Sequence, residues 1–152
     1  MVENHGQLLE ERIWTFNGDP ACIRAMLEAL REWLSQAGVT VDNSGTIELV
    51  TAEVLNNIAE HAYQDAGGDI TADIKIFDGY LQAALIDQGR PMPNATLPPA
   101  RYVDPDLALE DLPEGGFGWG LIRTLCSDVN YRRNGLKNHT VLTIPLDERN
   151  SK

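Results

Sequence analysis

Two runs of alternating apolar and polar residues, 70–77 (ITADIKIF) and 81–86 (LQAALI), stand either side of Asp78-Gly79. A period of two sends successive side chains to opposite faces of a strand. An Asp-Gly pair between two such runs supplies the turn that joins antiparallel strands without splaying them. The chain is therefore committed to a hairpin with one apolar face, and other segments must cover that face. Upstream the period changes. Ile23, Met26, Leu27, Leu30, Trp33, Leu34 and Ala37 recur at helical spacing, with Asp19 as N-cap, Pro20 as first helical residue and Gly38 as the stop. Ile47, Val50, Val54, Ile58 and Ala62 mark a second helix that runs to about Tyr63, capped by Asp42, Asn43 or Ser44.

The remaining segments complete a pattern. Residues 11–16 read as an opening strand. Residues 121–126 continue a glycine-rich run as helix, and 129–132 and 140–146 form a second hairpin around Asn134-Gly135. Between Gly89 and Gly120 lie six of the eight prolines and little periodicity, apart from one short turn expected at Leu107-Ala108-Leu109. A loop of that length inside a compact domain is usually functional. The order is strand, two helices, two strands, loop, helix, two strands. Helices grouped apart from hairpin-connected strands specify an α+β two-layer sandwich. At 152 residues with 43% hydrophobic content, one domain over 1–152 with a single core is expected.

Charge and cysteine usage narrow the function classes. The chain has 12 Lys and Arg against 23 Asp and Glu, a net charge of −11, which disfavours direct nucleic-acid binding. It contains no apolar run long enough for a transmembrane helix and no basic-then-apolar N-terminal signal, so no membrane association is expected. Cys22 and Cys126 are far apart, lack metal-type spacing and read as buried free thiols, which suits the cytoplasm.

Three constellations carry chemistry. Glu53 and Asn57 sit four residues apart, about 40° around a helix, so a carboxylate and a carboxamide flank the same edge of the buried stripe. The carboxylate can act as a general base, and the carboxamide oxygen is a hard neutral ligand for Mg²⁺. Asp87-Gln88-Gly89 follows a strand of buried type. Its carboxylate can accept a hydrogen bond from an exocyclic amine, and Gly89 lets backbone approach closely. Gly115-Gly116-Phe117-Gly118-Trp119-Gly120 is a glycine-rich loop leading into a helix, a place suited to phosphates. No Lys-Ser/Thr follows the glycines and no βαβ unit surrounds them, so the run is neither a P-loop nor a dinucleotide fingerprint. Each constellation alone is equally an ordinary helix edge, strand turn or punctuating loop.

In this order the three resemble the N, G1 and G2 boxes of the GHKL ATPases, which include histidine kinases, gyrase-type enzymes and certain chaperones. Glu53-x-x-x-Asn57-x-x-x-His61-Ala62-Tyr63 and Gly115-Gly116-x-Gly118-x-x-Leu121-Ile122 are closer to one branch, the bacterial anti-sigma factor serine kinases of the RsbW and SpoIIAB type. The resemblance spans residues 12–146. It implies a Bergerat-type, histidine-kinase-like ATPase fold: a mixed, mostly antiparallel sheet with helices on one face and an ATP lid at about 90–116. It further implies ATP and Mg²⁺ as cofactors, with Asn57 holding the metal and Glu53 activating a partner's serine hydroxyl. Asp87 and Gly89 would meet the adenine, Gly116, Gly118 and Gly120 the phosphates, and Thr140 would assist Asp87. The implied function is a serine/threonine protein kinase that phosphorylates an anti-anti-sigma (STAS-type) protein and sequesters a sigma factor, working as a homodimer. The alternative is an ATP- or ADP-gated switch that captures partners without phosphorylating them. A proline-rich lid longer than a minimal one is the departure that bears on transfer. His61 is expected on the buried side, Tyr63 and Trp33 in packing, Trp119 in packing or at the lid, and Arg90, Arg101 and Arg123 are candidates for phosphate contact.

Overall fold

The structure, a computed structural model, describes residues 6–93, 96–97 and 117–147. Gly115, Gly116, Arg101, the turn expected at residues 107–109 and most of the expected lid lie outside them.

Strands β1 (Leu8–Asn17), β2 (Asp69–Phe77), β3 (Tyr80–Asp87), β4 (Asp128–Asn134) and β5 (Lys137–Pro145) form one sheet in the order β1-β2-β3-β5-β4. All four ladders are antiparallel. Helices α1 (Pro20–Gln36), α2 (Val41–Asn57) and α3 (Phe117–Leu125) make the second layer, so the α+β two-layer sandwich is as expected. No helix among the described residues is long and apolar enough to cross a membrane.

The alternation that predicts the strands also decides which face is covered. Ile70, Ala72, Ile74 and Ile76 of β2, Leu81, Ala83 and Leu85 of β3, and Leu142 and Ile144 of β5 all bury toward the helices. Ile23, Met26, Leu30, Trp33 and Leu34 of α1 and Ile47, Val50, Val54 and Leu55 of α2 meet them. Trp33 packs edge-on against Trp14 of β1, with ring centroids 5.7 Å apart. The turn at Asp78-Gly79 forms as read, with Gly79 at φ +95°.

Several boundaries differ from expectation. Thr40, not Asp42, Asn43 or Ser44, caps α2: its side chain accepts from the Asn43 N–H at 3.1 Å. The second hairpin turns at residues 135–136, because Gly135 takes a positive φ of +65° and Asn134 still pairs with Lys137. β5 therefore starts three residues earlier than residue 140. α3 starts at Phe117, so Gly118, Trp119 and Gly120 are its first turn, not a loop before it. Cys126, just after α3, is buried, and burial beside Asp128 pushes its thiol up to about 11. Cys22 is only half-buried, and both thiols are free.

Replacing Thr40 by alanine should lower stability by about 1 kcal/mol, read as a lower urea midpoint at unchanged slope. Ser44→Ala should leave the midpoint in place, and the reverse pattern would move the cap.

Candidate functional site

The site is built where α2 ends. Its last residue, Asn57, is followed by a wider π-helical turn, Ile58–Ala62, in which the Tyr63 N–H donates to the Ile58 carbonyl. Such turns recur at functional sites. At the end of this turn the Ala62 carbonyl accepts from the Arg90 N–H at 2.8 Å, so the strand's exit loop is joined to the helix end. Gly89 makes this approach possible. A Cβ there would stand 2.5 Å from the Ala62 carbonyl oxygen, closer than side-chain carbons come. Gly89 is thus required by Ala62. Tyr63 adds a clamp, its hydroxyl accepting from the Gln88 N–H (2.7 Å) and donating to the Asp69 carbonyl (2.6 Å). The π turn also re-aims His61, which is exposed, its ring 3.9 Å from the Glu60 carboxylate, and not on the buried side that regular helical spacing gives.

Asp87 continues the inward alternation of β3 after Leu81, Ala83 and Leu85, and only 2% of it is exposed. Desolvation raises its pKa above the ordinary value. The Asn138 side chain, the Gly89 N–H and the charges of Arg133 and His139 oppose that rise without cancelling it. Gly89 N and Asn138 Nδ2 both donate to Oδ1 at 2.8 Å. Oδ2 has no hydrogen bond among the described residues. Thr140, paired with Leu85 in the β3–β5 register, is buried beside it.

These residues border one cavity of about 470 Å³, within the usual range for small-molecule sites. Asn57, Asp87, Asn138, Thr140, Tyr131 and Trp119 are on its walls. Of the sequence candidates, the cavity thus gathers Asn57, Asp87 and Thr140. Trp119 is buried in the core while also facing the cavity. Arg90 lines it, whereas Arg123 is exposed on the last turn of α3. Glu53 is not on the cavity wall. It lies against the first turn of α3, where a Cβ on Gly118 would stand 2.9 Å from its Oε2. Gly118 and Gly120 lie in the first described turn of α3. The Asn57 Nδ2 is buried with no hydrogen-bond partner among the described residues. A carboxamide left unpaired at a cavity can turn either its oxygen or its nitrogen to an incoming group. No cluster of three or more His, Cys, Asp or Glu side chains capable of holding a metal occurs among the described residues. The Asn57 carboxamide is the neutral oxygen donor this wall would offer a Mg²⁺, whose other partners would be ligand phosphates and water.

Three residues of this site were not among the sequence candidates: Asn138, Tyr131 and Arg133. Tyr131 donates to Asn138 Oδ1 at 2.6 Å and accepts from the Met92 N–H at 3.0 Å. Arg133 donates to Asn138 Oδ1 and to the Gly89 carbonyl. Extending the alternation of β5 back by two from Thr140 would have found Asn138. The turn placed one residue early hid it.

The profile of a family described as Histidine kinase-like ATPase domain matches residues 16–144. A Serine-protein kinase RsbW from Halalkalibacterium halodurans is 29% identical over 101 residues, 66% of this chain and 62% of that protein. The chain thus spans less than two thirds of that relative's length. The protein of the same name from Bacillus subtilis is 26% identical over 117 residues, 74% of this chain and 68% of that one. A crystal structure of RsbU and RsbW domains from Mycobacterium tuberculosis superposes with a TM-score of 0.62 at 19% identity, over 95% of this chain and 35% of that one, a likeness of fold.

The raised pKa of Asp87 has a stability consequence with a definite sign. The folded state holds the Asp87 proton more tightly than the unfolded chain does. Stability is therefore lost as pH rises from the ordinary value of 3.8 through the raised folded value. Asp87→Asn removes that loss. Urea midpoints should show the variant at least as stable as the parent at pH 7, with its relative advantage shrinking as pH falls through that window.

Proposed function

This chain belongs to the histidine kinase-like ATPase family, and on that premise we propose that it binds Mg-ATP in the cavity at the end of α2 and phosphorylates a serine of a partner protein. The observation that carries the reading is the convergence of Asn57, Asp87 and Thr140 on one cavity, with the first turn of α3 held against Glu53. The partner is an anti-anti-sigma protein of the STAS type, and the unoccupied kinase sequesters a sigma factor in the cytoplasm. Support for this class comes from the relatives named serine-protein kinase. A homodimer is part of the proposal. The edge strand β1, which leaves Leu8, Leu9 and Ile13 exposed, is a surface that would suit it.

In this reading Asp87 accepts the exocyclic amine of adenine on Oδ2, with the Thr140 hydroxyl beside it. The N–H groups at the start of α3 face the phosphates, and Asn57 holds Mg²⁺. Bound there, Mg²⁺ supplies charge neutralisation to the phosphates. Glu53 accepts the proton of the serine hydroxyl as its oxygen bonds to the γ-phosphorus and the bond from that phosphorus to the bridging oxygen breaks. The products are phosphoserine and ADP. Positioning and charge stabilisation carry most of such a transfer.

One observation favours the second reading, a nucleotide-gated switch without transfer: Glu53 stands outside the cavity wall. The two readings separate in one assay with ATP, Mg²⁺ and the STAS-type partner. Glu53→Gln should leave nucleotide affinity unchanged and slow phosphoserine formation by about 10²–10⁴-fold, the usual worth of a general base. Transfer at the parental rate would remove Glu53 from that role. A nucleotide-dependent complex in which the parent protein forms no phosphoserine would establish the switch. Asn57→Ala should sharply weaken Mg-nucleotide binding in calorimetry under either reading.

A further inference from the structure

The donors and acceptors of Asn138 are spent in a way that no other side chain could match. A carboxamide has two N–H donors and an oxygen with two lone pairs. In Asn138 the nitrogen donates to Asp87 Oδ1 (2.8 Å), to the Arg90 carbonyl (3.0 Å) and, as a longer shared bond, to the Gly89 carbonyl (3.3 Å). The oxygen accepts from the Tyr131 hydroxyl (2.6 Å) and from Arg133 Nη1 (3.1 Å). Chemistry alone settles which end points where. A carboxylate and two carbonyls can only accept, and a guanidinium can only donate. Aspartate would lose the donors, and serine would be too short to serve both sides.

The consequence reaches the cavity. Asn138 stands directly opposite Asp87 in the β3–β5 register and is as buried, at 2% exposure. By engaging Oδ1 together with the Gly89 N–H, it leaves Oδ2 as the oxygen of Asp87 without a partner among the described residues. Its bonds to the carbonyls of residues 89 and 90, with the Tyr131 bond to the Met92 N–H, also hold backbone 89–92 as one wall of the cavity. A single fixed acceptor oxygen discriminates between purines. Adenine presents an amine at its six position and guanine a carbonyl oxygen. An unpaired buried acceptor facing a second acceptor is strongly disfavoured.

Resting on the nucleotide reading above, we propose that Asn138 is the positioning residue that sets adenine-over-guanine selectivity, by presenting Asp87 through Oδ2 alone and fixing the 89–92 wall beside it. Asn138 acts through Asp87 and the wall and does not itself contact the base.

The test is calorimetric titration of the full chain and its variants with MgADP and with MgGDP, alongside thermal unfolding. The parent should prefer MgADP. Asn138→Ala should weaken MgADP binding by about tenfold, the worth of a hydrogen bond to a charged group, and MgGDP binding far less, so the preference contracts. Should Asn138→Ala fail to fold, Asn138→Leu keeps the volume while removing the donor to Asp87, and must show the same contraction. Tyr131→Phe, which frees the Met92 amide and removes one of the two donors that orient Asn138, should contract the preference partway and accelerate hydrogen exchange of that amide. A folded Asn138 variant with the parental MgADP-to-MgGDP ratio overturns the proposal and leaves the nucleotide reading standing. A parent protein that binds neither nucleotide overturns both.

Discussion

A carboxylate held out of water at the end of a strand organises this molecule's site. Asp87 occupies the inward position that follows Leu81, Ala83 and Leu85, where an apolar residue would cost nothing. Burying an ionised group there is unfavourable unless hydrogen bonds and nearby charge offset it. The offsets tie together elements distant in sequence. One is the N–H of Gly89, which must be glycine because Ala62 lies against it. Another is the amide of Asn138 on β5, itself oriented by Tyr131 and Arg133 of β4. The end of α2, the exit of β3 and the β4–β5 hairpin are consequently one hydrogen-bonded unit around a single acid.

The helix end shows the same economy. A regular α-helix through Ala62 would use that carbonyl within the helix or give it to water. Here it receives the Arg90 N–H, and the last turn widens to a π-helix. The buried amide nitrogen of Asn57, just before that turn, has no partner among the described residues. Native structures satisfy nearly all such groups, and the exceptions tend to sit where a ligand will supply the missing partner. Among the described residues three side chains carry such a buried unpaired atom, and Asn57 is the one of them that also borders the cavity.

Periodicity made most of the fold legible. The Asp78-Gly79 hairpin, the α1 stripe from Ile23 to Ala37 and the two-layer arrangement all follow from local patterns that tertiary packing reinforces. What was illegible had specific causes. Helical spacing extrapolated through Ala62 puts His61 inward, whereas the π turn at Ile58–Ala62 leaves it exposed. Thr40 caps α2 from two residues before the nearest expected cap, because several small polar residues in a row are interchangeable on paper. The glycines after residue 116 read as loop by propensity, yet Gly118 and Gly120 lie in α3, and the missing Cβ of Gly118 leaves room for Glu53. Asn57 was legible as a carboxamide beside the buried stripe of α2 and Asp87 as a carboxylate at the end of a buried strand, whereas Thr140 came only from the family resemblance. Asn138 was not, because the turn at Gly135-Leu136 shifts the start of β5 relative to the more obvious Asn-Gly pair.

The most direct measurement is a crystal structure of the chain with MgADP. The expected result is a nucleotide in the cavity at the end of α2, with the exocyclic amine of adenine on Asp87 Oδ2, the diphosphate toward the first turn of α3 and Mg²⁺ next to the Asn57 side chain. A nucleotide bound elsewhere, or one whose base leaves Oδ2 of Asp87 unpaired, would contradict the assignment of this cavity as the ATP site.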